Sequence, residues 1–78
     1  MSGGYFNYTQ YQLLAISEGI TNYLADNPDN YSDKTLMELA KCNNLLQKTF
    51  VYVRRIDMLL SWDDDEEIFH KKLREELL

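Results

Sequence analysis

Apolar residues recur at spacings of three and four along the first third of the chain, which is the periodicity of an amphipathic α-helix. We therefore predict a first helix over residues 8–26. Its apolar face consists of Leu13, Ile16, Ile20, Tyr23 and Leu24. The Asn-Pro-Asp-Asn segment at residues 27–30 predicts a turn, because proline disfavours helical geometry in the residue before it.

A second and longer periodic stretch predicts a helix over residues 32–60, with Ser32 as its N-cap and Asp33 at the positive end of the helix dipole. The apolar stripe consists of Leu36, Leu39, Cys42 or Asn43, Leu46, Phe50, Val53, Ile56 and Leu60. Such a helix is about 42 Å long at 1.5 Å per residue, which is more than a core of this size needs. Either both other helices pack along it or part of the stripe faces another chain, and we expect a homodimer or larger assembly.

A third helix is predicted over residues 64–78, where apolar residues again recur at helical spacing. Asp63 or Ser61 would cap it, with Glu66 or Asp64 three residues further on, as in a capping box. The expected fold is therefore all-α: a small three-helix bundle with a long central helix, formed by residues 1–78 as a single domain.

The N-terminal arm, residues 1–8, carries Tyr5, Phe6 and Tyr8 ahead of the first helix. Burying even two such rings is worth about 3–6 kcal/mol, so we expect an ordered arm with Phe6 and Tyr8 packed on the bundle and Tyr5 partly exposed. The arm is interpreted as a lid over the open end of the bundle. The alternative is a binding surface, since tyrosine concentrates where proteins meet.

The net charge of −5 argues against direct nucleic-acid binding, which needs a basic face. Uninterrupted apolar runs are no longer than four residues, so no membrane span is expected. One cysteine cannot form a disulfide within the chain, and the N-terminus does not resemble a signal peptide. These features predict a cytoplasmic protein.

Charged residues surround the junction between the second and third helices. The five consecutive acids at residues 63–67 favour capping and solvation, with partner-facing charge or a metal site as alternatives. We expect Arg55 to reach these acids and Asp57 to pair with Arg54 three residues earlier. Alternatively, the arginines bind an anionic ligand or a partner's acids. Trp62 at this junction is either a core plug or an exposed anchor. The candidate partner-binding residues are Tyr5, Phe6, Tyr8, Arg54, Arg55, Trp62, Asp63 and Asp64.

Catalytic residues are hard to find in the sequence. The only histidine, His70, has no serine or cysteine at a suggestive spacing, and Cys42 has the character of a small core residue. The acidic run lacks the glycine and the terminal glutamate of an EF-hand loop. We therefore expect a protein that is not an enzyme and that needs neither metal nor cofactor.

Two segments resemble a group of small proteins common in bacteriophage and prophage genomes. They are the start Met-Ser-Gly-Gly-x-Phe-x-Tyr at residues 1–8 and the segment Arg-Ile-Asp-x-Leu-Leu-Ser-x-Asp-Asp-x-Glu-x-x-Phe at residues 55–69. Members of that group usually have tryptophan at the position of Met58 and glycine at the positions of Trp62 and Asp65. These departures suggest that Trp62 replaces the missing indole.

The resemblance implies a context more than an activity. Small acidic phage proteins without catalytic residues often bind and block a host protein, including CRISPR, restriction and other defence components. The sequence thus favours a protein that binds and inhibits a host protein. The alternative is an oligomeric small-molecule binder, such as a nucleotide sponge, that uses the aromatic arm with Arg54 and Arg55.

Overall fold

Three α-helices make up the fold in a computed structural model that describes residues 4–78. They are α1 (Tyr11–Asp26), α2 (Asp33–Leu60) and α3 (Glu66–Leu77). Both α1 and α3 pack against α2, and among the described residues their backbones do not contact each other. The predicted three-helix bundle with a long central helix is confirmed, with α2 as its spine.

The second helix begins and ends almost where the sequence predicts. The Ser32 hydroxyl accepts a hydrogen bond from the Thr35 amide at 3.4 Å, so Ser32 is the N-cap and Asp33 is the first helical residue. At the other end, Ser61 is the C-cap, and its amide donates to the Asp57 carbonyl at 2.9 Å. The helix has 28 residues, and the molecule is correspondingly elongated, with extents of 47 × 24 × 13 Å.

The first helix starts at Tyr11, three residues later than predicted. Asn7 and Tyr8 both have left-handed backbones, with φ of 58° and 60°, and this conformation is incompatible with a right-handed helix. The segment before Tyr11 is instead a series of turns, in which the Asn7 amide donates to the Gly4 carbonyl at 3.0 Å. Residues 1–3, which the predicted arm includes, lie outside the described residues.

The corner between α2 and α3 differs from the prediction in its cap. Trp62 adopts a left-handed backbone with φ of 66°, and the amides of Asp63 and Asp64 both donate to the Met58 carbonyl, at 3.0 and 3.2 Å. The N-cap of α3 is Asp65, whose side chain accepts from the Ile68 amide at 2.8 Å. The prediction that Asp63 or Ser61 caps α3 is wrong, because both residues belong to the end of α2. Ser61 is the C-cap of α2, and the Asp63 amide donates to the Met58 carbonyl.

The contact between α1 and α2 is partly polar. Buried Ser17 donates to the Asn43 side chain and accepts from Gln47 at 3.4 Å, and Asn43 also donates to Thr21 at 2.9 Å. Asn43 rather than Cys42 therefore faces α1, and Cys42 is exposed.

Apolar side chains in the described part of the chain are nowhere fully buried; the buried residues are Gln10, Ser17, Arg55 and Asp57. The accessible surface is 5,990 Å². A compact monomer of this mass exposes about 5,000 Å². The single chain therefore exposes about 1,000 Å² more accessible surface than a compact monomer of the same mass. None of the helices in residues 4–78 combines the length and apolar character needed to cross a bilayer.

Candidate functional site

The Asp57 carboxylate binds the N-terminal arm to the end of α2. Its Oδ2 atom accepts from the Gly4 amide at 3.1 Å, and its Oδ1 atom accepts from the amides of Tyr5 at 2.6 Å and Phe6 at 3.3 Å. The Gln10 side-chain amide also donates to Oδ2, at 2.9 Å. Successive backbone amides that converge on one anion form a nest, and here the anion belongs to the chain itself. We call this arrangement the arm clamp.

Hydrogen bonding keeps the Asp57 carboxylate charged although only 2% of the residue is exposed. Burial raises its pKa, but the hydrogen bonds from the Gly4 amide, the Gln10 side chain and the Phe6 and Tyr5 amides outweigh burial. The net result is a pKa below the ordinary value of 3.8. The arm clamp is therefore a charge-assisted structure at neutral pH.

Gly4 is needed at the beginning of the clamp because its φ is +103°, a conformation that side chains rarely adopt. The nearest atoms to a Cβ atom there would be those of the Tyr8 side chain, at ordinary contact distances of 3.6–3.8 Å. The requirement for glycine is thus conformational rather than steric.

The arm clamp leaves tyrosine rings exposed on a fixed backbone. Tyr5 is 61% exposed and Tyr8 is 54% exposed, while Phe6 is half-buried. Tyr5 lies edge-on to Phe6, and Tyr8 stacks on Tyr11, with ring centroids 5.2 and 6.5 Å apart. Phe6 packing and Tyr5 exposure agree with the prediction. Tyr8 is more exposed than predicted, because its left-handed backbone places the ring along Tyr11.

The arm adjoins the α2–α3 corner at Ser61. The Ser61 hydroxyl accepts from the Tyr5 amide at 3.1 Å and donates to Asp57 at 3.5 Å. The next residue, Trp62, is 94% exposed. It is therefore not a core plug, and it does not replace a buried indole near Met58. Tyr5 and Trp62, which are far apart in sequence, are thus linked through Ser61, whose hydroxyl binds the Tyr5 amide and which directly precedes Trp62.

The arginine pair divides into one buried and one exposed side chain. Arg55 is 4% exposed; its Nη1 atom lies 3.5 Å from Asp64 Oδ2, and its Nε atom lies 3.6 Å from Glu76 Oε1. Arg54 is exposed and approaches Glu76 at 3.9 Å. The expected contact of Arg55 with the acidic run is confirmed. The expected Arg54–Asp57 pair is wrong, because Asp57 faces the arm.

These ion pairs reduce the number of candidates for partner binding. Arg55 and Asp64 neutralise each other inside the corner, with only 5% and 9% of their side chains exposed. Asp63 is half-buried in the same turn. Tyr5, Tyr8, Trp62 and Arg54 remain exposed on the surface. Tyr5, Phe6 and Tyr8 do not converge with Arg55 on one pocket, because the Arg55 guanidinium points toward α3.

An open cleft of about 680 Å³ lies beside Trp62. It is lined by Leu59, Leu60, Trp62, Asp63, Asp64, Asp65, Glu66 and Ile68. Although acids border it, residues 4–78 contain no group of three His, Cys, Asp or Glu side chains arranged to hold a metal ion. The lining of the cleft therefore combines apolar and acidic side chains.

A second open cleft of about 410 Å³ lies at the opposite end of the molecule, beside the turn between α1 and α2. Gly19 lines it, and a Cβ atom at this glycine would meet nothing within 4 Å. A side chain would therefore fit at Gly19, and close packing of the helices does not require glycine at this position. The Tyr23 hydroxyl donates to Asp29 in the same cleft, and this hydrogen bond is the main cause that raises the pKa of Tyr23 to about 12.

Gly4, Gln10 and Asp57 of the arm clamp, and the adjoining Ser61, are not among the site residues identified from the sequence. The available signal is Asp57 itself, an acid between the apolar stripe positions Val53, Ile56 and Leu60. A buried carboxylate needs hydrogen-bond donors, and Arg54, three residues earlier, lies on the same helix face. The true donors lie about fifty residues away.

Comparison of the chain with protein families, with curated proteins and with solved structures finds no match in any of the three.

Proposed function

We propose that this protein is a small, self-associating, non-enzymatic binding protein of phage type that binds and inhibits a host protein. Its recognition surface consists of the exposed aromatic side chains of the arm and the corner: Tyr5, Tyr8, Tyr11 and Trp62. The phage context rests on the resemblance of residues 1–8 and 55–69 to small phage and prophage proteins. The surface rests on the geometry of the arm and corner.

The observation that carries the proposal is the exposure of Trp62 on a left-handed backbone. A side chain in this conformation costs about 1–2 kcal/mol, and glycine avoids that cost. Trp62 is 94% exposed, so packing within the chain does not compensate for it. The left-handed backbone serves the end of α2, where the amides of Trp62 and Asp63 donate to the carbonyls of Leu59 and Met58. The exposed indole at this position favours a protein contact, since tryptophan and tyrosine are enriched among the residues that dominate binding energy at interfaces.

The arm clamp supports the same conclusion for Tyr5. Ordering an arm on binding loses conformational entropy, and a pre-ordered arm avoids much of this loss. Asp57 fixes the backbone of Tyr5 through a 2.6 Å hydrogen bond while leaving the ring 61% exposed. The buried carboxylate of Asp57 therefore positions the exposed aromatic ring of Tyr5.

Self-association is supported by the lack of a fully buried apolar side chain in residues 4–78. The excess surface of about 1,000 Å² is close to the roughly 800 Å² that each partner buries in a typical stable interface. A second copy would supply the apolar cover that one chain lacks.

The alternative, a nucleotide sponge, receives less support. The arginine best placed for bidentate anion binding, Arg55, is buried against Asp64 and Glu76. The backbone amides of Gly4, Tyr5 and Phe6 would suit a phosphate, but they bind the Asp57 carboxylate. A nucleotide would have to displace these internal partners.

The test is capture from a bacterial host lysate with the immobilised full chain and three variants. Trp62→Gly and Tyr5→Ala remove aromatic rings from the proposed surface. Tyr31→Ala is the matched control, because Tyr31 is 47% exposed at the opposite end and stacks on Tyr23. The wild type and Tyr31→Ala should retain the same host protein, and the two surface variants should lose most of it.

The captured protein is then purified, and its activity is assayed with and without the chain. Equal capture by all four chains would contradict the proposed surface. Recovery of no host protein, together with a thermal shift on addition of cyclic or linear nucleotides, would favour the sponge instead.

A further inference from the structure

The exposed face of α2 has a symmetric spacing of large apolar side chains. Met37, Leu45, Tyr52 and Leu60 are 62%, 65%, 45% and 41% exposed. They follow one another at intervals of eight, seven and eight residues, a pattern that reads the same in both directions. At 3.6 residues per turn they lie within a sector of about 140°.

Neither neighbouring helix covers this face. On the side of α2 that faces α1, Asn43 is bonded to Ser17 and Thr21, and Phe50 lies 5.5 Å from the Tyr11 ring. On the side that faces α3, which adjoins the Met37 edge of this sector, Arg55 forms an ion pair with Glu76. The exposures of Met37, Leu45 and Tyr52 are those that remain with both helices in place.

We propose that this face of α2 is a self-association surface on which a second copy of the chain packs with its α2 antiparallel. The inference rests on the self-association proposed above, and not on the identity of a host target. In the antiparallel arrangement Met37 of one copy lies opposite Leu60 of the other, and Leu45 lies opposite Tyr52. The two-fold axis passes between Lys48 and Thr49.

Charge determines the direction of the pairing. Lys34, Lys41 and Lys48 are spaced by seven residues and lie on the same side of α2 as the exposed apolar residues. A parallel pair in register would place each lysine against its own copy. The antiparallel pair brings only Lys48 near its own copy, at the two-fold axis. It places Lys34 of one copy beside the acidic corner of the other, because Lys34 precedes Met37 by three residues and the acids begin three residues after Leu60. Opposite charges at these ends fix the orientation.

The first experiment measures mass by light scattering at micromolar concentration. The wild type should give twice the 9.3 kDa of one chain. Leu45→Glu should raise the dimer dissociation constant roughly thirtyfold or more, as loss of a central contact does. Ile16→Glu is the matched control: it introduces the same charge at a 54% exposed apolar position on α1 and should leave the mass unchanged. Far-UV circular dichroism confirms that each variant is helical.

The second experiment tests direction with nitroxide spin labels in a Cys42→Ser background. In an antiparallel dimer, labels at Met37→Cys of the two copies are twenty-three residues apart along the axis, or about 34 Å. Labels at Lys48→Cys lie next to the two-fold axis and give a short distance. A parallel dimer gives short distances at both positions.

Each outcome has a distinct meaning. A 9.3 kDa wild type overturns self-association altogether. A dimer that Leu45→Glu leaves intact, or that Ile16→Glu dissociates, overturns this face while self-association stands. Short distances at both label positions overturn the antiparallel pairing. Host-protein capture by monomeric Leu45→Glu is read separately, so failure of this inference and failure of the proposed function are distinguishable.

Discussion

The Tyr5 amide donates a 2.6 Å hydrogen bond to the carboxylate of Asp57, a residue 52 positions further along the chain. This bond joins the segment before α1 to the last turn of α2. Together with the neighbouring bonds from Gly4 and Phe6 it gives the buried charge of Asp57 a complete set of partners. The two segments on which the proposed phage context rests are therefore in direct contact.

Asp57→Ala should lower the free energy of unfolding by about 3 kcal/mol, because the amides of Gly4, Tyr5 and Phe6 lose a charged acceptor. Hydrogen exchange at these amides should rise toward the rate of an unfolded peptide. Ser61→Ala is the control, since it removes only the longer hydroxyl contacts to Tyr5 and Asp57. Unchanged exchange at residues 4–6 in Asp57→Ala would contradict the arm clamp.

The arm clamp should also make stability depend on pH. The pKa of Asp57 is lower in the folded chain than the ordinary value of 3.8, so its stabilising contribution is complete above that pH. The contribution is lost as the pH falls through the lower folded pKa. Chemical denaturation between pH 6 and pH 2 should show this loss in the wild type. Asp57→Asn should lack this component, and parallel curves for the two proteins would refute the assignment.

Arg55→Ala should lower the free energy of unfolding by about 2–4 kcal/mol, because it leaves the Asp64 charge buried without a counter-charge. Arg54→Ala is the matched control. Its side chain is 50% exposed and lies 3.9 Å from the same Glu76, so its loss should cost less than about 0.5 kcal/mol. Urea denaturation measures both changes. Equal effects of the two substitutions would show that the corner does not depend on Arg55.

Trp62→Gly should raise the free energy of unfolding by about 0.5–1 kcal/mol, since glycine removes the left-handed strain but adds entropy to the unfolded chain. The same substitution should weaken binding of the host protein. Trp62→Ala is the comparison: it removes the ring but keeps the strain, so it should weaken binding without stabilising the fold. Thermal melting and capture on the same samples provide the readouts. Loss of stability in Trp62→Gly would imply that the indole packs within the chain.

One of the six tyrosines should titrate late. The hydrogen bond to Asp29 raises the pKa of Tyr23 from 10.0 to about 12. Its stabilising contribution is therefore complete below pH 10 and is lost as the pH rises through the folded value. Ultraviolet absorbance of tyrosinate follows the titration. Asp29→Asn should return this tyrosine toward the ordinary range, and an unchanged titration curve would exclude the Asp29 contact.

Helix α2 was predictable because its signals are local. Ser32 caps it, its apolar residues keep helical spacing, and Ser61 follows its last residue. The start of α1 was not predictable in this way. Asn7 and Tyr8 adopt left-handed backbones because the arm turns back toward Asp57. Gly4 and Asn7 are residue types that favour such turns, but tyrosine rarely adopts this backbone, so the sequence does not show that the turn extends past Tyr8.

The candidate site shows the same division between local and distant determinants. The contact of Arg55 with the acidic run followed from proximity, since a short corner brings them together. The hydrogen-bond donors to Asp57 could not be predicted from proximity. Helical spacing indicated Arg54, whereas the actual donors belong to the arm. Trp62 was recognised as a candidate, but its exposure could be determined only once the corner was built.

The arm clamp also determines the order in which the chain can fold during synthesis. Residues 4–6 leave the ribosome well before Asp57, the carboxylate to which they bind, has been made. Their amides therefore lack this hydrogen-bond acceptor while α1 and the first part of α2 form. They bind Asp57 only when the end of α2 emerges. A nascent chain stalled before Asp57 emerges should thus expose Tyr5 to proteases, whereas a chain released beyond the α2–α3 corner should protect it.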